Sequence, residues 1–182
     1  MATVTTLPFR PDGWTVDDLD ELPDDGNRYE LLDGALLVSP PPELMHQYVG
    51  FRLAALLSGQ LPPDLAVVTA PGVYYDSRTY RIPDVVVFRR SALSRPRPHL
   101  RPADVVIAVE LMSPGNERTD RLKPAEYAAA GVPHFWRVEL EAPVVVTHTL
   151  DGAVYRETGR FSGVVELAEP APLRVRVADL LP

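Results

Sequence analysis

Three residues carry the chemistry that can be read from this chain: Asp84, Glu110 and Lys123. Glu110 ends a near-continuous apolar run, Val105-Val106-Ile107-Ala108-Val109, of the kind that forms a strand covered on both faces. A carboxylate at the end of such a strand costs several kcal/mol unless something pairs with it. Asp84 stands at the mouth of a second apolar run, Val85-Val86-Val87-Phe88. The everyday role of an Asp at such a place is to cap a turn. If the two strands are neighbours, however, both carboxylates meet at one point. Lys123 is the single lysine among seventeen arginines. Arg supplies positive charge wherever either residue serves. A position that keeps Lys is a place for a compact ammonium whose pKa shifts readily, unless Lys123 simply lies on a solvated helix face.

Two carboxylates in a chain with no cysteine and four histidines make a hard, all-oxygen site. Such a site selects Mg2+ or Mn2+ over zinc, and the backbone carbonyl of Leu111 can complete the shell. A bound Mg2+ polarises a phosphodiester and helps form hydroxide from water. Lys123 would hold the attacking water or stabilise charge on the phosphate. Two other readings stand beside this one: a catalytically inactive binding or assembly module, and a carboxylate-pair hydrolase such as a glycosidase. The second needs an acid of raised pKa and leaves the lysine without a role.

The elements that must position these residues follow from pattern. Residues 1–13 read as a loose arm, and 14–22 as a short helix with Thr15 as N-cap. Residues 28–39 form a hairpin around Asp33-Gly34. An amphipathic helix over 43–59 carries Val49, Leu53, Leu56 and Leu57 on one stripe, with Met45 and Tyr48 a turn earlier and His46 close by. Strands are predicted at 65–70, 73–75 and 81–89, followed by a proline-rich loop over 90–101. The central strand 105–111 is broken by Ser113-Pro114-Gly115-Asn116. A helix follows over 119–130, closed by Gly131 and Pro133. A strand at 135–139, a hairpin over 144–157 around Asp151-Gly152, and short strands at 164–167 and 173–177 complete the chain.

The fold class expected is α/β or α+β: a mixed sheet flanked by two main helices, with an N-terminal β-hairpin and a C-terminal β extension. Length points to one domain over 1–182, with a core at 28–139 and a β-rich extension at 140–182. The absent cysteines and the lack of a signal-peptide or membrane-span pattern point to a cytoplasmic protein without membrane association. The net charge of −7 argues against a strong nucleic-acid binder. Charge is uneven, though: nine acids and one arginine, Arg28, lie between 12 and 33, and seven arginines and one acid, Asp84, between 78 and 101. The second cluster suits phosphate binding or an ordinary solvated loop.

The motifs RYELLDGALLVSPPP (28–42), His46, IPDVVVF (82–88), VELMSP (109–114), the spacing of Asp120, Lys123 and Tyr127, and AGVPHFWRVE (130–139) together resemble the Uma2 family. Uma2 is a branch of the PD-(D/E)XK nuclease superfamily. The resemblance implies a restriction-endonuclease-like core and a metal-dependent endonuclease acting on nucleic acid, DNA above all, with a homodimer as a natural form for cutting two strands. Carried over by position, Asp84 is the PD acid and Glu110 the second acid. Glu30 and His46 match a family acid and a family histidine near the same place. The superfamily's usual lysine position holds Met112, and the resemblance assigns its role to Lys123 on the following helix. Pro124 directly after it requires Lys123 to lie in or before the first helical turn.

Overall fold

The computed structural model describes residues 9–96, 99–112 and 122–182. The start of the expected N-terminal arm, the break at 113–116, the expected helix start at 119 and Asp120 lie outside the described residues. Among those described, the strands are β1 (Arg28–Leu32), β2 (Ala35–Ser39), β3 (Leu65–Thr69), β4 (Val73–Asp76), β5 (Thr79–Arg81), β6 (Val85–Arg89), β7 (Val105–Met112), β8 (His134–Glu139), β9 (Val144–Asp151), β10 (Val154–Phe161), β11 (Val164–Leu167) and β12 (Leu173–Arg176). The α-helices are α1 (Leu44–Ser58) and α2 (Lys123–Ala129). This is the mixed α+β architecture of a restriction-endonuclease-like fold.

A six-stranded sheet in the order β10-β9-β8-β7-β6-β3 forms the centre. Its pairs are antiparallel except β7 with β8, which run parallel and are joined by the crossover that contains α2. A parallel pair cannot be closed by a tight turn; it needs a crossover of a dozen or more residues, and here that crossover carries α2. Both faces of the central strands are covered, which explains their unbroken apolar runs. Val85, Val87, Ile107, Val109 and Leu111 pack towards α1 and the β11–β12 hairpin. Val86, Phe88, Val105 and Ala108 pack with Tyr127 and Phe135 in a second cluster. Each fully buried Val or Leu contributes about 1.5–3 kcal/mol relative to exposure.

The N-terminal hairpin belongs to a separate four-stranded sheet, β2-β1-β5-β4. Asp33 and Gly34 both take positive φ, 50° and 82°, which is what a two-residue turn matched to the strand twist demands. The residues beyond 139 do not stand apart. β9 and β10 extend the central sheet, and Val165, Leu173, Val175 and Val177 enter the same core as α1. Arg52 of α1 also donates to the backbone carbonyl of Asp179, through Nε at 3.2 Å and Nη2 at 3.1 Å.

Several local expectations change. The predicted strand over 81–89 is two strands in two sheets: β5 ends at Arg81 and β6 begins at Val85. Pro83 lies between them without an N–H for a ladder, and the chain turns from one sheet to the other there. The buried face of α1 is His46, Val49, Gly50, Leu53 and Leu57, so Met45 and Tyr48 point outward. Residues 14–22 form a 3-10 turn, Val16–Glu21, in which the Asp18 carboxylate accepts from the N–H and hydroxyl of Thr15. A further 3-10 turn, Arg90–Ser94, interrupts the loop expected over 90–101.

Candidate active site

The acid pair meets. Val85 of β6 is registered with Val109 of β7, and the Asp84 N–H continues that ladder by donating to the Val109 carbonyl at 3.1 Å. The same register sets Asp84 across from Glu110. Both carboxylates are buried, Asp84 at 6% exposure and Glu110 at 1%.

Three groups donate towards Asp84. Nη1 of Arg28, on β1, reaches Oδ1 at 2.7 Å; the Leu111 N–H reaches Oδ2 at 2.9 Å; Nε2 of His46, on α1, lies 3.2 Å from Oδ2. Burial on its own would raise the carboxyl's pKa, but His46, Arg28 and the Leu111 N–H overcome that and hold it down at about 2. Glu110 has the opposite balance. Burial drives its carboxyl up to about 8; Lys123 pulls against this, and the charge of Asp84 adds to it. Lys123 Nζ lies 3.0 Å from Glu110 Oε2, and the Tyr127 hydroxyl donates to Oε1. Burial and the neighbouring carboxylate raise the Tyr127 phenol well above its ordinary range, so it remains a donor.

Lys123 opens α2, with Pro124 in the first turn where no intrahelical N–H is needed. The far end is set by Gly131 at φ 75°: its N–H bonds to the Ala128 carbonyl, and the Val132 N–H to that of Tyr127. That is a Schellman closure, and it returns the chain to β8. Lys123 and Tyr127, four residues apart, therefore share the helix face above Glu110.

Glu30 joins from β1. Its Oε1 accepts from the Ile82 N–H at 2.7 Å and lies 3.8 Å from Lys123 Nζ. Arg81, fully buried at the end of β5, lies 3.8 Å from Glu30 and 2.7 Å from Glu126 of α2. The 2.7 Å contact, Nε to Oε2, is not aligned as a hydrogen bond; Nη2 of Arg81 makes one to Oε1 at 3.2 Å.

The five side chains expected from sequence thus gather in one place: Asp84, Glu110, Lys123, Glu30 and His46. Arg28, Arg81 and Glu126 were not foreseen as part of it. Arg28 did carry a signal, as the one arginine in an acidic stretch that has to answer a carboxylate somewhere. The basic run over 78–101 is mostly spent on structure: Arg78 donates to the carbonyls of Asp12 and Asp33, Arg90 to those of Pro63 and Leu65, and Arg95 pairs with Asp104.

Among the described residues, no three carboxylate or histidine side chains form a ready-made metal cage. The donor set nonetheless fits a small hard cation. Asp84, Glu110, Glu30 and Leu111 line a cavity of about 30 Å3, roomy enough for one water or one ion. A cation has to displace the proton that burial favours on Glu110; the ionised carboxylate then has about four acceptor positions and, with two donors, keeps capacity for the ion.

A mixed sheet whose one parallel pair is joined through a helix is the α+β architecture of the restriction-endonuclease-like class of nuclease folds. The chain belongs to the Uma2 family, described as "putative restriction endonuclease", whose profile matches residues 16–179. A solved structure described as a putative nuclease belonging to DUF820, from Anabaena variabilis, shares the fold. Its TM-score is 0.70 at 18% identity, over 91% of this chain and 96% of that one. No curated protein matches the sequence. Among the described residues, no helix is long and apolar enough to cross a membrane.

Proposed function

We propose that this protein is a Mg2+- or Mn2+-dependent endonuclease that hydrolyses phosphodiester bonds of nucleic acid, with DNA as the substrate. The observation that carries the reading is the opposition of Asp84 and Glu110 across adjacent strands, with Lys123 3.0 Å from Glu110, around one ion-sized cavity. Asp84, Glu110 and the Leu111 carbonyl are the residues that would hold the cation. When bound, it supplies Lewis-acid polarisation of the phosphate and acidifies a water.

The chain's own groups do the rest. Lys123 holds the attacking water or neutralises charge building on a phosphate oxygen. Tyr127 fixes the Glu110 carboxylate through its other oxygen. His46 and the Leu111 N–H fix the rotamer of Asp84. Arg28, partly exposed beside Asp84, can reach a phosphate oxygen once it leaves the carboxylate. Cutting both strands of a duplex takes two such sites, which a homodimer would supply.

One observation favours a second reading, an inactive nuclease-fold binding module: both oxygens of each acid already have protein partners within 3.2 Å. Calorimetric titration with Mg2+ and Mn2+, wild type against Asp84→Ala, separates the two when a plasmid-nicking assay is run on the same samples. Binding and nicking that both vanish in the variant support the nuclease. A wild type that binds no metal and nicks nothing supports the module.

A further inference from the structure

A second cavity, of about 430 Å3, opens directly off the acid site. It lies between α1 and the end of β3, and it shares Arg28, His46, Asp84 and Leu111 with the ion-sized cavity. Its other walls include Gln47, Gly50 and Phe51 from α1, Thr69 at the end of β3 and Ala70 just after it. Gly50 faces the Leu111 side chain so closely that an added Cβ would come 3.3 Å from its Cδ1, and a larger residue there would press on Leu111. Ala70 adopts φ 48°, in the left-handed region, and is held there by an N–H bond to the Asp84 carbonyl at 2.9 Å. A strained non-glycine residue kept in place by the acid's own backbone is the kind of feature that clusters at working sites.

Phe51 stands at the rim, 64% exposed. A single exposed aromatic is unremarkable on a surface. This one borders a cavity that ends at a catalytic carboxylate. It lies five residues along α1 from His46, a rise of about 7.5 Å.

We infer that this cavity is a subsite for one unpaired nucleobase beside the scissile phosphate, with Phe51 as its stacking face. The inference rests on the nuclease reading and narrows it. Apolar and aromatic walls with a few polar groups suit a flat heterocycle, and Arg28 at the boundary suits the phosphate that joins it to the acid site. Phe51 offers one exposed ring and so a stacking face for one base. A base stacked in a duplex cannot enter the cavity without leaving the stack. The substrate strand is therefore unpaired where it enters the site, and a fully paired duplex binds less tightly than the single strand.

The test uses three probes: a short single-stranded DNA, its duplex, and the single strand with one abasic position. Binding is read by fluorescence anisotropy, with Ca2+ in place of Mg2+ to suppress turnover. Base–aromatic stacking is worth about 1–3 kcal/mol per base, so Phe51→Ala should weaken single-strand binding roughly tenfold, with an unchanged melting temperature because the side chain is exposed. Phe51→Trp should retain affinity, and its indole emission should be quenched by the intact strand and not when the abasic position occupies the subsite. Both native tryptophans, Trp14 and Trp136, are buried and give a steady background. Wild-type affinity in Phe51→Ala, or tighter duplex than single-strand binding, overturns the subsite while leaving the nuclease intact if wild type still cuts in Mg2+. A wild type that neither binds nor cuts any of the three probes overturns the nuclease reading, and the subsite with it.

Discussion

Arg81 Nε lies 2.7 Å from Oε2 of Glu126, and this contact joins the sheet of the N-terminal hairpin to the helix that carries Lys123. Arg81 also faces Glu30, so one buried guanidinium fixes two carboxylates from two layers. Breaking a buried ion pair by removing one partner leaves a charge without compensation and typically costs about 3–5 kcal/mol. Arg81→Met is expected to lower stability on that scale in urea unfolding. Arg81→Lys is expected not to rescue it, because a point ammonium cannot span both acids. A loss below about 1 kcal/mol would show that Glu30 and Glu126 do not depend on Arg81.

Stability is expected to peak on the acid side of neutral. The Asp84 carboxyl is held at about 2 against an ordinary 3.8, so its contribution is complete above pH 4 and is lost as pH falls towards 2. At about 1.4 kcal/mol per pKa unit this is about 2 kcal/mol. Glu110 acts in the opposite sense. Its folded carboxyl keeps a proton up to about 8 that the unfolded chain releases near 4.5, so stability declines as pH rises between those values. Urea midpoints from pH 2 to 9 would trace both limbs, and Asp84→Asn should flatten the acid one. A flat wild-type profile would refute this balance.

His46 touches no substrate in this reading; it holds Asp84. Removing such a supporting partner usually lowers metal affinity or activity by about 10- to 100-fold. His46→Ala should therefore weaken Mg2+ binding in calorimetry by that order while leaving the fold intact. Unchanged affinity would reduce His46 to a filler between α1 and β7.

The β11–β12 hairpin should matter to the site although it contributes no group to it. Leu173 is buried in the cluster under α1, the helix that carries His46. Leu173→Ala is expected to cost about 2–5 kcal/mol in thermal or chemical unfolding. A cost below 1 kcal/mol would mean that the hairpin is loosely attached.

The acid pair and the lysine were legible because each breaks a local rule: an acid at either end of a buried run, and one lysine where all other cations are arginine. The turn at Asp33-Gly34 was legible for a local reason too, since its chemistry sits in adjacent residues; the one expected at Asp151-Gly152 falls one residue later, at Gly152-Ala153, because Asp151 still pairs with Val154 as the last residue of β9. Arg81 was not, because its partners Glu30 and Glu126 come from β1 and α2 and only the packing brings them to it. The run over 81–89 looked like one strand because composition is silent on which sheet each half joins. The stripe on α1 was legible at Val49, Leu53 and Leu57 and misread only in its first turn, where His46 faces inward instead of Met45 and Tyr48. His46 and Gly50 look like poor core residues until Asp84 and Leu111 are known to lie against them.

The burial of Lys123, at 4% exposure, makes the site chemically addressable. The chain has no other side-chain amine, so an amine-directed reagent meets only the amino terminus and this one nitrogen. While the pair with Glu110 is closed, the ε-amine is shielded, and intact-protein mass spectrometry would count a single adduct. A second adduct appearing with time or temperature would mark α2 lifting from β7. Mass alone would then time the opening of the site, with no substrate and no engineered label.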